Sequence, residues 1–321
     1  MSVFHDLLIG NSYLLQEAIN TASILSATDT TALICGESGT GKELIAKGIH
    51  RASPRRRGPL ISINCASLPD TLAESLLFGH QRGAFTGATT EHNGYIRSAH
   101  GGTLFLDEIG ELSPSLQSKL LRFIESGECM PLGSTLTCQP DVRIVAATHR
   151  DLREEVEKGR FREDLFYRLY IVPIQLPPLR ERREDIPLLL RHFAKHFAIE
   201  FKQPSIRFSN KAISALRAYR WQGNIRELRN IVQRLSILLP GQEVDLANLP
   251  AEITQTSLQE SARQQEYLLP KSGIDFDQLE KCIIHQALMM TMGNQSKAAR
   301  LIGLSRDTFV YRQKKYAITP Q

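Results

Sequence analysis

The first half of the chain alternates short apolar runs with amphipathic segments. The runs are brief, rich in Ile, Leu and Val, and nearly continuous in hydrophobicity; they are Ala32–Cys35, Leu60–Cys65, Thr103–Leu106, Arg143–Thr148 and Tyr170–Gln175. Strands that helices cover on both faces have this pattern, because neither face meets water. Strands that alternate with helices predict an α/β domain with a parallel sheet flanked by helices, which we place at residues 1–176.

After Pro177–Pro178 the hydrophobic period becomes helical. Candidate helices are Ile186–Phe201, Asn210–Tyr219 and Ile225–Leu239, with no strand-like run between them, and Pro240–Gly241 is a turn signal. This pattern predicts a small helical lid over residues 177–240.

The stretch at 241–273 is polar and rich in Gln, Ser and Glu, and it predicts a linker with weak local structure. A helical period returns in residues 274–321, which we expect to form an all-α domain. Its first helix carries apolar residues at positions that share one face, namely Phe276, Leu279, Ile283, Ala287 and Met290.

Composition narrows the class of protein only slightly. The net charge of +5 is modest and is weak evidence for nucleic-acid binding. The five cysteines are an odd number without a closely spaced pair, which argues against zinc and a disulfide framework and suits a reducing cytosol. No apolar run approaches the ~20 residues that span a membrane. We therefore expect a cytoplasmic protein.

A glycine-rich segment joins the first predicted strand to a helix. Its glycines allow backbone N–H groups to turn toward phosphate oxygens, and Lys42 can reach the β- and γ-phosphates of ATP. Glu43 stands where a Ser or Thr usually holds Mg²⁺, and Thr40 could compensate only in part. The candidate nucleotide-binding residues here are Gly36, Glu37, Ser38, Gly39, Thr40, Gly41, Lys42 and Glu43.

Two carboxylates end the third apolar run, at the edge where open α/β sheets bind ligands. Asp107 is placed to organise Mg²⁺, directly or through water, and Glu108 to polarise the water that attacks ATP. By itself the pattern is also that of a strand ending in solvated acids. The phosphate-binding loop upstream favours the catalytic interpretation.

The C-terminal segment has a helix, a turn at Gly303-Leu304 and a second helix that begins after Ser305. This is the helix-turn-helix pattern of DNA-binding domains, with Phe309 expected in the core. The alternative is a helical hairpin used only for dimerisation. Candidate DNA-binding residues are Ser305, Arg306, Thr308, Val310, Arg312, Lys314 and Lys315.

From about Ile9 to Ile318 the chain resembles the bacterial enhancer-binding proteins, the AAA+ activators of sigma-54 RNA polymerase. The most specific element of the resemblance is a small mobile loop with one large apolar tip beside a hydroxyl, which implies a transient contact with sigma-54. The loop residues are Gly83, Ala84, Phe85, Thr86, Gly87 and Ala88.

The resemblance implies further roles. Asn64 resembles the switch residue that holds the catalytic Glu, Arg162 and Arg168 resemble arginine fingers that act on a neighbour's ATP, and Arg226 resembles the sensor arginine of the lid. The family's sensor is usually Thr-Asn, whereas this chain has Thr148-His149.

The resemblance also implies partners: sigma-54 RNA polymerase holoenzyme, upstream enhancer DNA bound by a Fis-type domain, and copies of the same chain in a ring of six. Because the ATPase segment begins almost at Met1 without an attached sensory domain, as in the phage-shock-type activators, control by a separate protein such as a repressor, or by expression level, is expected rather than phosphorylation of an attached domain. ATP with Mg²⁺ is the implied cofactor.

Two other functions fit parts of the pattern. One is a non-catalytic DNA-binding repressor that has kept the fold, against which Lys42, Asp107 and Glu108 argue. The other is a different AAA+ machine, such as a chaperone or helicase loader, against which the loop at 83–88 argues.

Overall fold

The structure is a computed structural model of the chain that describes residues 2–254, 273, 275–316 and 318. It divides into two compact units, Met1–Glu260 and Ser261–Gln321. No helix in the described ranges is long and apolar enough to cross a membrane.

The first unit contains a five-stranded parallel sheet in the order β2-β3-β4-β1-β5. The strands are β1 Ala32–Cys35, β2 Leu60–Asn64, β3 Thr103–Asp107, β4 Arg143–Thr148 and β5 Pro173–Gln175. Four lie where the apolar runs predict them. The fifth starts three residues late, because Tyr170 is the C-cap of the preceding helix.

Among the described residues, eight α-helices pack around this sheet or extend from it. They are α1 Ser2–Leu7, α2 Tyr13–Ser26, α3 Lys42–Ala52, α4 Asp70–Phe78, α5 Gly94–Ser98, α6 Pro114–Ser126, α7 Leu152–Glu157 and α8 Glu163–Leu169.

Side chains of the central strands alternate between two apolar layers. On β3, Leu104 and Leu106 join the layer that contains α6 and α8, whereas Phe105 joins the layer that contains α1, α2 and α3. On β1, Leu33 and Ile34 divide in the same way. Both faces of the sheet are therefore covered, which is why the strands read as continuous apolar runs.

The lid contains α9 Ile186–Glu200, α10 Asn210–Ala218 and α11 Asn224–Leu238. Contrary to the sequence prediction, two short strands also belong to it: β6 Arg207–Phe208 pairs in parallel with β7 Glu243–Val244.

The predicted linker begins too early. Val244, Leu249 and Ile253 are at most 6% exposed and lie in the lid's apolar cluster. Three apolar residues spaced through a polar stretch gave no periodic signal, yet their burial keeps this segment in the lid. Residues 255–272 and 274, which include the rest of the predicted linker, lie outside the described residues.

The second unit consists of α12 Phe276–Met290, α13 Gln295–Leu301 and α14 Arg306–Lys315. Its core includes Phe309, as predicted. Of the apolar residues predicted to share one face of α12, Ala287 is buried, whereas Phe276 and Met290 are exposed. Ile284 and Leu288 complete the buried face instead.

Candidate functional site

The phosphate-binding loop connects β1 to α3. Gly39 and Gly41 have φ values of 80° and 106°, a left-handed region that favours glycine. A Cβ on Gly39 would also lie 2.5 Å from the carbonyl oxygen of Gly223 in the lid. The loop conformation therefore requires glycine for both its backbone and its close contact.

Lys42 is buried at the start of α3 and points back into the loop. Its Nζ donates to the carbonyl of Gly36 at 2.9 Å and lies 3.6 Å from Oε1 of Glu108. The hydroxyl of Thr40 donates to the carbonyl of Glu37 at 2.8 Å. The predicted lysine thus meets a predicted catalytic carboxylate.

Glu43 does not turn into the loop. Its exposed carboxylate pairs with Lys47, one helical turn later, at 2.7 Å. The inclusion of its side chain among the nucleotide-binding candidates is therefore not supported by its position in the structure. The long side chain follows the outer face of α3, where an i,i+4 lysine is available.

Asp107 and Glu108 lie at the C-terminal end of β3. Burial, followed by the charge of Glu108, raises the pKa of Asp107. Burial also pushes the pKa of Glu108 upward, but hydrogen bonds from His149 and the charge of Lys42 outweigh it and leave this pKa lowered. Glu108 is therefore held ionised, and its φ of 54° places it in left-handed backbone that non-glycine residues rarely adopt.

His149, just after β4, is the main partner of Glu108. Its Nδ1 lies 2.6 Å from Oε2 of Glu108, and its backbone N–H donates to the same oxygen at 3.2 Å. Asn64 was expected to hold Glu108, but its Oδ1 accepts from the N–H of Ala66 at 2.9 Å, and no hydrogen bond to Glu108 is found for it within the described residues. In this structure His149, not Asn64, holds Glu108.

The lid makes direct contact with the phosphate-binding loop. Arg226 donates to the hydroxyl of Ser38 at 2.9 Å, so the implied sensor arginine does reach the loop. The N–H of Ile225 donates to the carbonyl of Gly39 at 3.0 Å. These contacts hold the helical lid against the loop where phosphates would bind.

Two lid residues that sequence reasoning missed hold Glu37. Arg180 donates two hydrogen bonds to its carboxylate, at 2.6 and 2.9 Å, and this contact lowers the pKa of Glu37. Asn224 donates to the same carboxylate at 3.1 Å and to the carbonyl of Ser38 at 3.0 Å. Arg180 lies in a run of charged residues, which gives no specific signal for this contact. Asn224 follows a glycine at the start of a helix, and that position could have identified it as a candidate.

The two proposed fingers lie at the ends of α8, away from this cluster. The guanidinium of Arg162 is exposed and pairs with Asp164, and its backbone N–H donates to the side chain of Gln117 at 2.8 Å. Arg168 is exposed and forms no ion pair within the described ranges. Neither side chain contacts Lys42 or the phosphate-binding loop in the described part of the chain.

The segment 83–88 is a compact loop closed at its base by a hydrogen bond from the N–H of Gly83 to the carbonyl of Ala88, at 2.8 Å. Its apolar tip, Phe85, is 36% exposed and packs edge-on against His80, with ring centroids 5.0 Å apart. His80 was not predicted as its support. Thr86 is exposed beside the tip.

The helix-turn-helix geometry is present in the second unit. Gly303, at φ 71°, makes the turn, and Ser305 caps α14 by accepting from the N–H of Thr308 at 3.2 Å. Arg306 and Lys314 are exposed on α14, as DNA contacts must be, and so is Tyr311, which sequence reasoning missed.

Two of the side chains predicted to contact DNA form ion pairs within the second unit. Arg312 forms an ion pair with Glu280, and Lys315 pairs with Asp277 at 2.9 Å. Both acids lie on α12, so these cations stabilise the domain itself. The spacing on α14 could not reveal acidic partners in another helix.

A phosphate-binding loop after the first strand, paired carboxylates at the end of β3 and a helical lid against the loop define an AAA+ ATPase. Comparisons of the chain with known protein families agree with this assignment. The sigma-54 interaction domain family matches residues 8–175, the AAA+ ATPase lid domain family matches 180–266, and the Fis family of bacterial regulatory proteins matches 276–316. The chain belongs to the sigma-54-dependent AAA+ transcription activators and carries a Fis-type DNA-binding domain.

Individual relatives support this assignment. The chain is 46% identical to the transcriptional regulatory protein ZraR of Klebsiella oxytoca over 94% of this chain and 67% of that protein. It is 45% identical, with the same coverage, to the DNA-binding transcriptional regulator NtrC of Azospirillum brasilense. The crystal structure of NtrX from Brucella abortus in complex with ATP matches with a TM-score of 0.71 and 33% identity, over 97% of this chain and 69% of that one.

Proposed function

We propose that the chain hydrolyses ATP within a ring of identical subunits and uses the loop at 83–88 to remodel the closed complex of sigma-54 RNA polymerase into an open complex. The observation that carries this proposal is the short connection from the ATP site to the loop. β2 ends at Asn64 beside Asp107, a 3-10 turn at Cys65–Ser67 and helix α4 follow, and residues 79–82 then lead to the loop at Gly83. A change at the end of β3 can therefore reach the loop through one strand end and one helix.

A few residues would carry out the steps of ATP hydrolysis. Lys42 would exchange its carbonyl contacts for the phosphates of ATP, and Glu108 would orient and polarise the attacking water. Asn64 would take over Glu108 in another nucleotide state. Thr148 and His149 would act as the sensor next to β1, since the N–H of Gly36 donates to the carbonyl of Thr148 at 3.2 Å.

Asp107 fits a role as a Mg²⁺ ligand. The pKa of its half-buried carboxylate is raised, first by burial and then by the negative charge of Glu108 beside it, and a cation would relieve that repulsion. No cluster of three or more metal-ligating side chains occurs among the residues that the structure describes. One carboxylate with nucleotide oxygens and waters is the usual set for Mg²⁺, which would neutralise charge on the transferring phosphoryl group.

Arg162 and Arg168 would serve the neighbouring subunit. Their guanidinium groups are exposed on α8 and do not contact this subunit's own Lys42. A guanidinium donated across an interface can stabilise charge on the γ-phosphate. This arrangement requires self-association, and a ring of six is the form that the family implies.

The second unit would bind enhancer DNA through α14, with Arg306, Tyr311 and Lys314 facing the duplex. The exposed apolar face of α12, which includes Phe276 and Met290, suits a dimer contact that would pair two such units on DNA. We place the protein in the cytoplasm, where this DNA and RNA polymerase are found.

An open-complex assay with purified sigma-54 holoenzyme on a supercoiled template tests the proposal. Thr86→Ala should abolish ATP-dependent opening while DNA binding and ATP hydrolysis remain, since only the exposed loop hydroxyl changes. Thr89→Ala, an exposed threonine just beyond the loop, is the matched control and should open normally. Normal opening by Thr86→Ala would remove the assignment of the loop.

A further inference from the structure

Cys129 and Cys138 lie directly opposite each other in an antiparallel bridge. The N–H of Cys129 donates to the carbonyl of Cys138 at 2.8 Å, and the N–H of Cys138 donates back to Cys129 at 2.9 Å. Opposite residues in such a pair point to the same side of the sheet, with Cα atoms about 5.5 Å apart. A disulfide allows that Cα separation, but it needs Cβ atoms about 3.5–4.5 Å apart, closer than the roughly 5.5 Å of a hydrogen-bonded pair, so the bridge must tighten when the bond forms.

The other three cysteines have no such partner. Cys35 faces Thr148 and Gln175 in the sheet, Cys65 is buried after β2, and Cys282 is exposed on α12. The sequence separates Cys129 from Cys138 by nine positions, and the hairpin formed by residues 129–138 brings them opposite each other.

The two thiols differ in access to solvent. Cys129 is 1% exposed and packs in the apolar core, whereas Cys138 is partly exposed. A diffusible oxidant would therefore meet Cys138 first, and Cys129 would be the nearby thiol that resolves the product.

The hairpin lies against the base of the 83–88 loop. The N–H of Gln81 donates to the carbonyl of Leu132 at 3.0 Å, and the N–H of Leu132 donates to the carbonyl of Gly79 at 2.9 Å. The side chain of Gln81 also donates to the hydroxyl of Ser134 at 3.2 Å. A crosslink across the hairpin would therefore stiffen the support from which Phe85 projects.

We propose that Cys129 and Cys138 form a peroxide-sensitive dithiol site whose oxidation to a disulfide restrains the 83–88 loop. The sulfur of Cys138 attacks one oxygen of hydrogen peroxide, and water leaves as a sulfenic acid forms. The sulfur of Cys129 then attacks the Cys138 sulfur and expels a second water. Two thiols are oxidised, one peroxide is reduced, and cellular thiols reverse the bond by exchange.

Peptide mass spectrometry on the full chain tests the site. The protein is treated with graded hydrogen peroxide, blocked with N-ethylmaleimide and digested with trypsin, which leaves both cysteines on the peptide 123–143 because it contains no internal Lys or Arg. We expect a peptide lighter by two hydrogens and without maleimide, which dithiothreitol converts to a form that takes two adducts. Two adducts after peroxide, or stable oxidation of Cys138 alone, would overturn the site.

The consequence for the loop rests on the proposed function and has a separate readout. Oxidised wild type should lose open-complex formation by about fivefold or more, the low end of typical coupling between sites, while ATP hydrolysis remains. Cys138→Ser should open normally before and after peroxide, and Cys282→Ser should behave as wild type. A disulfide that leaves opening unchanged would overturn the coupling, whereas failure of the reduced wild type to open promoters would count against the proposed function instead.

Discussion

The imidazole of His149 and the carboxylate of Glu108 lie 2.6 Å apart, between Nδ1 and Oε2. Because the ionised carboxylate can only accept, Nδ1 donates the proton of this hydrogen bond. The other oxygen of Glu108 lies 3.6 Å from Lys42. The carboxylate that we propose as catalytic is therefore oriented by a side chain at the position where this family usually has Asn.

Removal of the imidazole should slow hydrolysis more than it weakens binding. His149→Ala leaves Glu108 without its side-chain donor, so we expect kcat to fall by about 10²-fold, the low end for a positioned base, with little change in ATP affinity. His149→Asn should recover part of the loss. Steady-state ATPase assays and nucleotide titrations measure both, with the exposed His285→Ala as control; equal kcat values would exclude a positioning role.

Truncation experiments should show that the lid extends beyond its predicted end at residue 240. A chain that ends after Gly241 loses Val244, Leu249 and Ile253, whose burial contributes roughly 1.5–3 kcal/mol each. Their combined contribution is comparable to the free energy of unfolding of a whole domain. The lid should therefore unfold, and ATP hydrolysis should stop. A chain that ends after Glu266, where the match to the lid family ends, should melt and hydrolyse ATP like the full ATPase unit. Cooperative melting of the shorter form at the normal temperature would contradict the burial argument.

Acid should weaken the segment that carries Arg162. A hydrogen bond from Arg160 lowers the pKa of the buried Glu155 to about 2. A lowered carboxylate pKa stabilises the fold fully above the unfolded value and loses that effect as pH falls toward about 2. Chemical denaturation between pH 7 and 3 should therefore show a steeper loss of stability in wild type than in Glu155→Gln. Parallel profiles for the two proteins would argue against this ion pair.

The two adjacent lysines of α14 should behave differently on DNA. Lys314 is exposed and free to meet phosphate, whereas Lys315 is paired with Asp277. Lys314→Ala should reduce the slope of log affinity against log salt by about one, and Lys315→Ala should change it less. Binding titrations at several salt concentrations decide this; equal slopes for both variants would show that the pairing with Asp277 does not keep Lys315 from DNA.

Mixing of two inactive variants tests action between subunits. Lys42→Ala removes the phosphate contact and Arg168→Ala removes the proposed finger, so each protein alone should be inactive. In a mixture, some interfaces would combine an intact ATP site with an intact finger, and part of the ATPase activity should return. Absence of recovery at every ratio would place both functions within one subunit.

Local sequence determined much of this protein. The β1 and β4 strands, the glycine turn around Lys42 and the paired Asp107 and Glu108 follow from periodicity and from chemistry that neighbouring residues complete. The buried Phe309 follows from the same reasoning.

Only the tertiary structure decided which distant groups meet. The contact between His149 and Glu108, the pairing of Arg180 with Glu37 and the diversion of Lys315 to Asp277 join residues that are far apart along the chain. The pattern on a single helix or strand is the same whether or not a partner arrives from another element. A side chain's partner depends on how elements pack, and packing is set by burial summed over the whole domain.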